Sequence, residues 1–139
     1  MDALDNLVRI NQLKTEPPDQ AEFDGMLKAA SSKLQDAQLA GLSKDSQFTL
    51  AYGAAHALAL AALRWYGYRS DKRYIVFQCL QHTVKLPAEE WRIFDICHNR
   101  RNLAEYEGHL EIEEGLLKDL LKLTNNLLEK VRALGPVHP

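Results

Sequence analysis

Apolar residues recur at spacings of three and four along most of the chain, the period of a helix with one buried face. Phe23, Leu27, Ala30, Leu34 and Ala37 form one stripe. Phe48, Ala51, Ala55, Leu58, Ala62 and Trp65 form a second, and Leu116, Leu120, Leu123, Leu127, Val131 and Leu134 a third. The second stripe is flanked by Ala54, Leu60 and Ala61, so this segment is apolar nearly all round and is the expected central helix. Its alanines let neighbouring helices approach closely.

Polar and special residues set the ends. A short helix is expected over Asp5–Leu13, stopped by Pro17 and Pro18. Asp19 and Glu22 have capping-box spacing for the next helix, which Gly41 closes. Ser43 to Ser46 start the central helix and Gly67 ends it. Ser70 and Asp71 precede a fourth helix over Arg73–Leu86. Pro87, Glu89 and Glu90 suit the first turn of a fifth, which runs to Glu107 and stops at Gly108. Glu111, Glu113 and Glu114 open the last. No strand alternation competes. The pattern predicts an all-α, four- to five-helix up-and-down bundle over residues 19–139, preceded by a short helix and linker over 1–18.

Projected at about 100° per residue, the fifth helix is expected to turn Ile93, Ile96, Cys97, Leu103 and Ala104 to the core. Trp91, His98, Asn102, Glu105 and His109 fall opposite, with Arg101, Phe94 and Tyr106 beside them. Arg100 projects towards the apolar side, at its edge or in an ion pair. A face carrying His, Arg, Asn, Glu and Tyr without lysine is unusual for plain solvent exposure. It fits a ligand site, a polar network between helices, or a dimer interface anchored by Trp91 and Phe94.

Composition narrows the setting. The chain has 139 residues, enough for one domain with a real core. No apolar run is long enough to span a bilayer and no leader pattern opens the chain, so a soluble cytoplasmic protein without membrane association is expected. Cys79 and Cys97 sit in helical patterns without CxxC spacing and read as buried, reduced thiols. The net charge of -2 gives no global pull towards nucleic acid. Residues 60–101, however, hold Arg64, Arg69, Lys72, Arg73, Lys85, Arg92, Arg100 and Arg101 against only Asp71, Glu89, Glu90 and Asp95. Such a basic middle can bind an anion or serve only as a solvated face.

The segment HNRRNLAEYEG, His98 to Gly108, stands late in an all-α chain and is followed by one more long helix. It resembles the HEPN superfamily, as does the stretch from AAHALALAALRWYGYRS through RYIVFQCLQHTV, the likeness covering about residues 20–135. The resemblance implies a helical bundle, commonly a homodimer whose motif helices meet across a two-fold. It also implies either metal-independent endoribonuclease activity, often toxin-like, or a non-catalytic module linked to nucleotides, RNA or a protein partner. Family ribonucleases use an Arg, a polar residue, and a His four to six positions after the Arg. Here Arg101 and Asn102 match the first two, and Tyr106 stands in the His position, so the candidate site is Arg101, Asn102 and Tyr106. Arg100 and Arg101 are the candidate phosphate ligands, and His98 and His109 the alternative bases.

The replacement matters, because a tyrosine near pKa 10 is protonated at neutral pH and accepts a proton poorly. A non-catalytic nucleotide- or RNA-linked module is therefore the expected function, with the ribonuclease and a ligand-free adaptor dimer as alternatives. No cofactor or metal is expected, since the row His98, Asn102, Glu105 and His109 offers at most three ligands and no HExxH is present. His56, among alanines and leucines, reads as an interior histidine, and His82 as an exposed one. The Trp65–Tyr74 corner mixes aromatic and basic residues, and reads as core closure or as a surface that stacks bases.

Overall fold

The computed structural model describes residues 2–138. The chain runs α1 (Asp2–Arg9), β1 (Lys14–Thr15), α2 (Gln20–Ala37), α3 (Lys44–Trp65), β2 (Tyr68–Arg69), α4 (Arg73–Gln78), α5 (Leu80–Thr83), α6 (Ala88–Glu107) and α7 (Glu114–Arg132). It is an all-α helical bundle, and none of its helices is long and apolar enough to cross a membrane among the described residues. Helix α3 is the axis: it touches α2, α4, α5, α6, α7 and β2. Ala51, Ala54, Ala55, Ala59, Ala61 and Ala62 are all fully buried along it, so close approach replaces side-chain bulk. Phe48, Leu58, Leu63, Phe77, Phe94, Leu120 and Leu127 fill the space around it, each burial contributing about 1.5–3 kcal/mol. Leu4 and Leu13 join the same core.

The helix ends of α3 and α6 follow their predicted signals. Ser43 Oγ accepts from Ser46 N–H at 3.1 Å and starts α3. Gly67 at φ +89 and Gly108 at φ +78 take the left-handed turns that follow α3 and α6.

Elsewhere the structure departs from the expected pattern. The first helix is shifted, ending at Arg9 rather than Leu13. Asp19 precedes α2 in extended conformation but its side chain caps nothing, and Glu22 is committed to Arg64 and Arg69 instead of to the return bond of a capping box. The second helix stops at Ala37, short of Gly41. A two-residue antiparallel ladder pairs Lys14 with Arg69 and Thr15 with Tyr68, too short to show as alternation. The fourth helix breaks at Cys79 into α4 and α5 and stops at Thr83, whose Oγ1 bonds back to Cys79 O. Lys85 at φ +55 and Pro87 then prevent continuation to Leu86. On α7 the buried stripe is Leu117, Leu120, Thr124, Leu127, Leu128 and Val131, while Leu116 and Leu123 sit at its edge.

The largest correction concerns α6. Its apolar residues are spread round the helix, and the buried pair is Phe94 and Cys97. Ile96 and Leu103, expected in the core, are 42% and 50% exposed. The buried arc is rotated by roughly a quarter turn from the expected one, at 100° per residue. It is centred near Arg101, which therefore points at α3.

Candidate anion-binding site

Tyr52 lies at the centre of the site, on the face of α3 that meets α4 and α6. Its ring is buried, stacked with Phe48 at 6.0 Å between centroids and tilted against Phe77 at 5.7 Å. Two guanidinium groups lie by that ring, Arg101 from α6 at 5.4 Å and Arg73 from α4 at 5.6 Å. Burial pushes the Tyr52 hydroxyl above its ordinary pKa, against the pull of Arg73 and Arg101, so it stays protonated.

The hydroxyl meets His98 Nδ1 at 2.9 Å, and His98 Nε2 meets Asn102 Nδ2 at 3.1 Å. Burial lowers the His98 pKa, reinforced by Arg101 and Arg73 and opposed by Asp95, so the ring is neutral and carries one proton. With the Asn102 amide donating to Nε2, that proton belongs on Nδ1 and goes to Tyr52 Oη. This arrangement leaves the tyrosine's own proton free for another acceptor.

Beside the tyrosine is a cavity of about 240 Å³ lined by Lys33, Thr49, Leu50, Tyr52, Gly53, Arg73 and Arg101. Three cations from three helices line it, and no carboxylate does. Lys33 crosses over Gly53, where an added Cβ would stand 3.6 Å from Lys33 Cδ. Neither Lys33 nor Arg73 has a carboxylate within 4.0 Å among the described residues, and Arg101 has only a loose pair with Glu105 at 3.5 Å.

The residues expected from sequence separate here. Arg101 lines the cavity, and Asn102 orients His98. Tyr106, one turn beyond Asn102, is 91% exposed and does not line the cavity. Arg100 is held by Glu113 at 2.7 Å, away from Arg101's cavity. His109 is exposed and pairs with Glu111 at 3.5 Å. The expected outward row is not outward over its first half, since Trp91 packs against the core and His98 is half-buried against Tyr52. Lys33, Thr49 and Tyr52 were not singled out by the sequence. The available signal was the recurrence of Asp45, Thr49, Tyr52, Gly53 and His56 on one side of an otherwise apolar helix.

Three further features bear on the site. No group of His, Cys, Asp and Glu able to hold a metal occurs among the described residues. Cys79 and Cys97 are free and buried, and burial pushes both thiols up to about 12. The Trp65–Tyr74 corner mainly closes the core: Trp65 bonds to Gly135 O, Tyr66 to Thr83 O and Tyr68 to Asp5.

His56, one turn along α3 from Tyr52, is half-buried edge-on to Phe77. Its pKa falls from 6.5 to about 4, first through burial and then through Arg73, His98, Lys33 and Arg101. The unfolded chain therefore binds a proton here between pH 6.5 and 4 that the folded chain resists. This contribution to stability is complete above pH 6.5 and is lost as pH falls towards 4, to an extent on the order of 2 kcal/mol. His56→Gln is expected to lose that much less stability than the wild type between pH 7 and 4.5, measured by urea unfolding. His98 and His82, lowered in the same direction, and towards the acid end Glu16 and Glu113, held below the ordinary 4.5 by Arg69 and Arg100, contribute to the pH dependence that remains in this window.

No protein-family model matches the chain, and no curated protein is significantly similar to it.

Proposed function

We propose that the chain is a HEPN-like module that binds a phosphate-bearing ligand of the nucleotide or RNA class without cleaving it. The observation that carries this reading is the meeting of Lys33, Arg73 and Arg101 round one carboxylate-free cavity beside the Tyr52 hydroxyl. Like charges gathered this way repel one another when the cavity is empty, and an anion turns the repulsion into attraction. Arg73 and Arg101 supply fork donors that suit phosphate oxygens, Lys33 a point charge, and Tyr52 and Thr49 hydroxyls.

Two features favour binding over cleavage. The histidine nearest Arg101 has both ring nitrogens engaged, by Tyr52 and Asn102, and is not poised to take a 2′-hydroxyl proton. The tyrosine in the family's histidine position faces solvent and does not line the three-cation cavity.

Calorimetry and thermal melts of the full chain with inorganic phosphate and with AMP, at low salt, test the proposal. Ligand at ten times its Kd is expected to raise stability by about 1.4 kcal/mol. The effect should disappear in high salt and in Arg73→Ala, and RNA incubated with the protein in EDTA should stay intact. Absence of any response to either phosphate compound would overturn binding, and RNA cleavage that Arg101→Ala abolishes would overturn the non-catalytic part.

A further inference from the structure

The phosphate cavity adjoins two others along α3. It shares Thr49 and Arg101 with a cavity of about 530 Å³ that Asp45, Phe48, Ala104, Glu105 and His109 help to line. On its other side it shares Arg73 with one of about 390 Å³, lined also by Lys14, His56, Leu60, Arg69, Ser70 and Asp71. The α3 residues involved, Asp45, Phe48, Thr49, Tyr52, Gly53, His56 and Leu60, follow spacings of one to four that keep them on one face. At 1.5 Å per residue they extend over ~22 Å.

We infer that these three cavities form one trough and that it holds a short single strand of nucleic acid rather than a lone nucleotide. The inference rests on the anion-binding reading above and deepens it by naming the ligand. Charge varies along the trough in the way a strand requires. The middle section has three cations and no carboxylate, which suits a backbone phosphate. The section beside α6 has Asp45 and Glu105, which repel phosphate but accept hydrogen bonds from sugar hydroxyls and base amines. The section beside β1 has Lys14, Arg69 and Arg73 against Asp71, a second place for phosphate. Arg69 is already shared between Glu16 and Glu22 and chiefly shapes the wall, so Lys14, exposed and without an ion pair among the described residues, joins Arg73 as a free cation there. The rings along the trough, Phe48 and Tyr52, are buried, so the backbone rather than base stacking holds the strand. Weak dependence on base sequence follows.

Calorimetry of the full chain with UMP and with 5′-phosphorylated oligouridylates of two, four and eight residues provides the test. Affinity should rise about tenfold or more from UMP to the tetramer and level off beyond it. Its logarithm should fall with log salt at a slope of about −2 to −3 for three or four phosphates. Lys14→Glu should weaken tetramer binding roughly tenfold at low salt, through loss of one phosphate contact and repulsion of another. A tetramer that binds no tighter than UMP overturns the strand while leaving the phosphate clamp in place. Failure of both UMP and the tetramer to bind overturns the clamp as well. Tetramer affinity unchanged in Lys14→Glu, or equal affinity for a blunt duplex, also overturns the strand path.

Discussion

Arg64→Ala is expected to cost about 3–5 kcal/mol of folding stability, the penalty for breaking a buried ionic network by removing one partner. Arg64 is 2% exposed, near the C-terminal end of α3. Its guanidinium donates to Glu16 O at 2.8 Å, Pro17 O at 2.7 Å and Tyr68 O at 3.4 Å, and to the Glu22 carboxylate. It thereby ties α2, the Glu16–Pro18 turn and β2 to the central helix. Alanine would leave those carbonyls without their donor and open a cavity where the longest side chain of the core had been. The midpoint of thermal unfolding should fall by roughly 10–15 °C. Arg64→Lys should recover less than half of the loss, because one ammonium cannot reach acceptors spread round a planar fork. A loss below about 1 kcal/mol for the alanine variant would show that water replaces the guanidinium freely and that the network does not hold the N-terminal third in place.

This network also shows why some of the fold could be read from sequence and some could not. The bundle itself, the cap at Ser43, and the turns at Gly67 and Gly108 rest on local chemistry that a short window contains. Glu22 also looked local, three residues after Asp19, yet its carboxylate is claimed by Arg64 and Arg69 from more than forty residues away. Tertiary pairing overrode the capping box. On α6 the error had a different source. Ile96 and Leu103 outweighed Phe94 in the projection, although a single phenylalanine stacked on Phe77 at 5.7 Å decides which side meets α4. With apolar residues on every side of the helix, periodicity carries little directional information. The candidate site suffered accordingly. Arg101 is expected beside an outer row, yet its half-buried side chain turns to Tyr52 on α3, and its neighbours Lys33, Tyr52 and Arg73 belong to three other helices that no linear spacing connects.

Arg101→Ala should behave in the opposite way to Arg64→Ala, with little change in stability and a large loss of phosphate binding. The stabilising contacts removed are small: an exposed pair with Glu105 worth a few tenths of a kcal/mol and a guanidinium near the Tyr52 ring worth about 0.5–1 kcal/mol. Removing one of three neighbouring cations relieves repulsion with Arg73 and Lys33, which offsets part of that loss. The unliganded variant should therefore unfold within about 1 kcal/mol of the wild type. A bound phosphate, by contrast, loses charge-assisted hydrogen bonds worth about 1.5–3 kcal/mol, which weakens UMP or oligouridylate binding roughly 10- to 150-fold. Arg101→Lys keeps the charge without the fork and should fall between the two. Calorimetric titration of each variant beside its thermal melt separates the two roles. A large drop in stability with unchanged affinity would make Arg101 a second structural arginine like Arg64. An unchanged melt with binding lost would identify the three-cation cavity as a site kept for its ligand rather than for the fold.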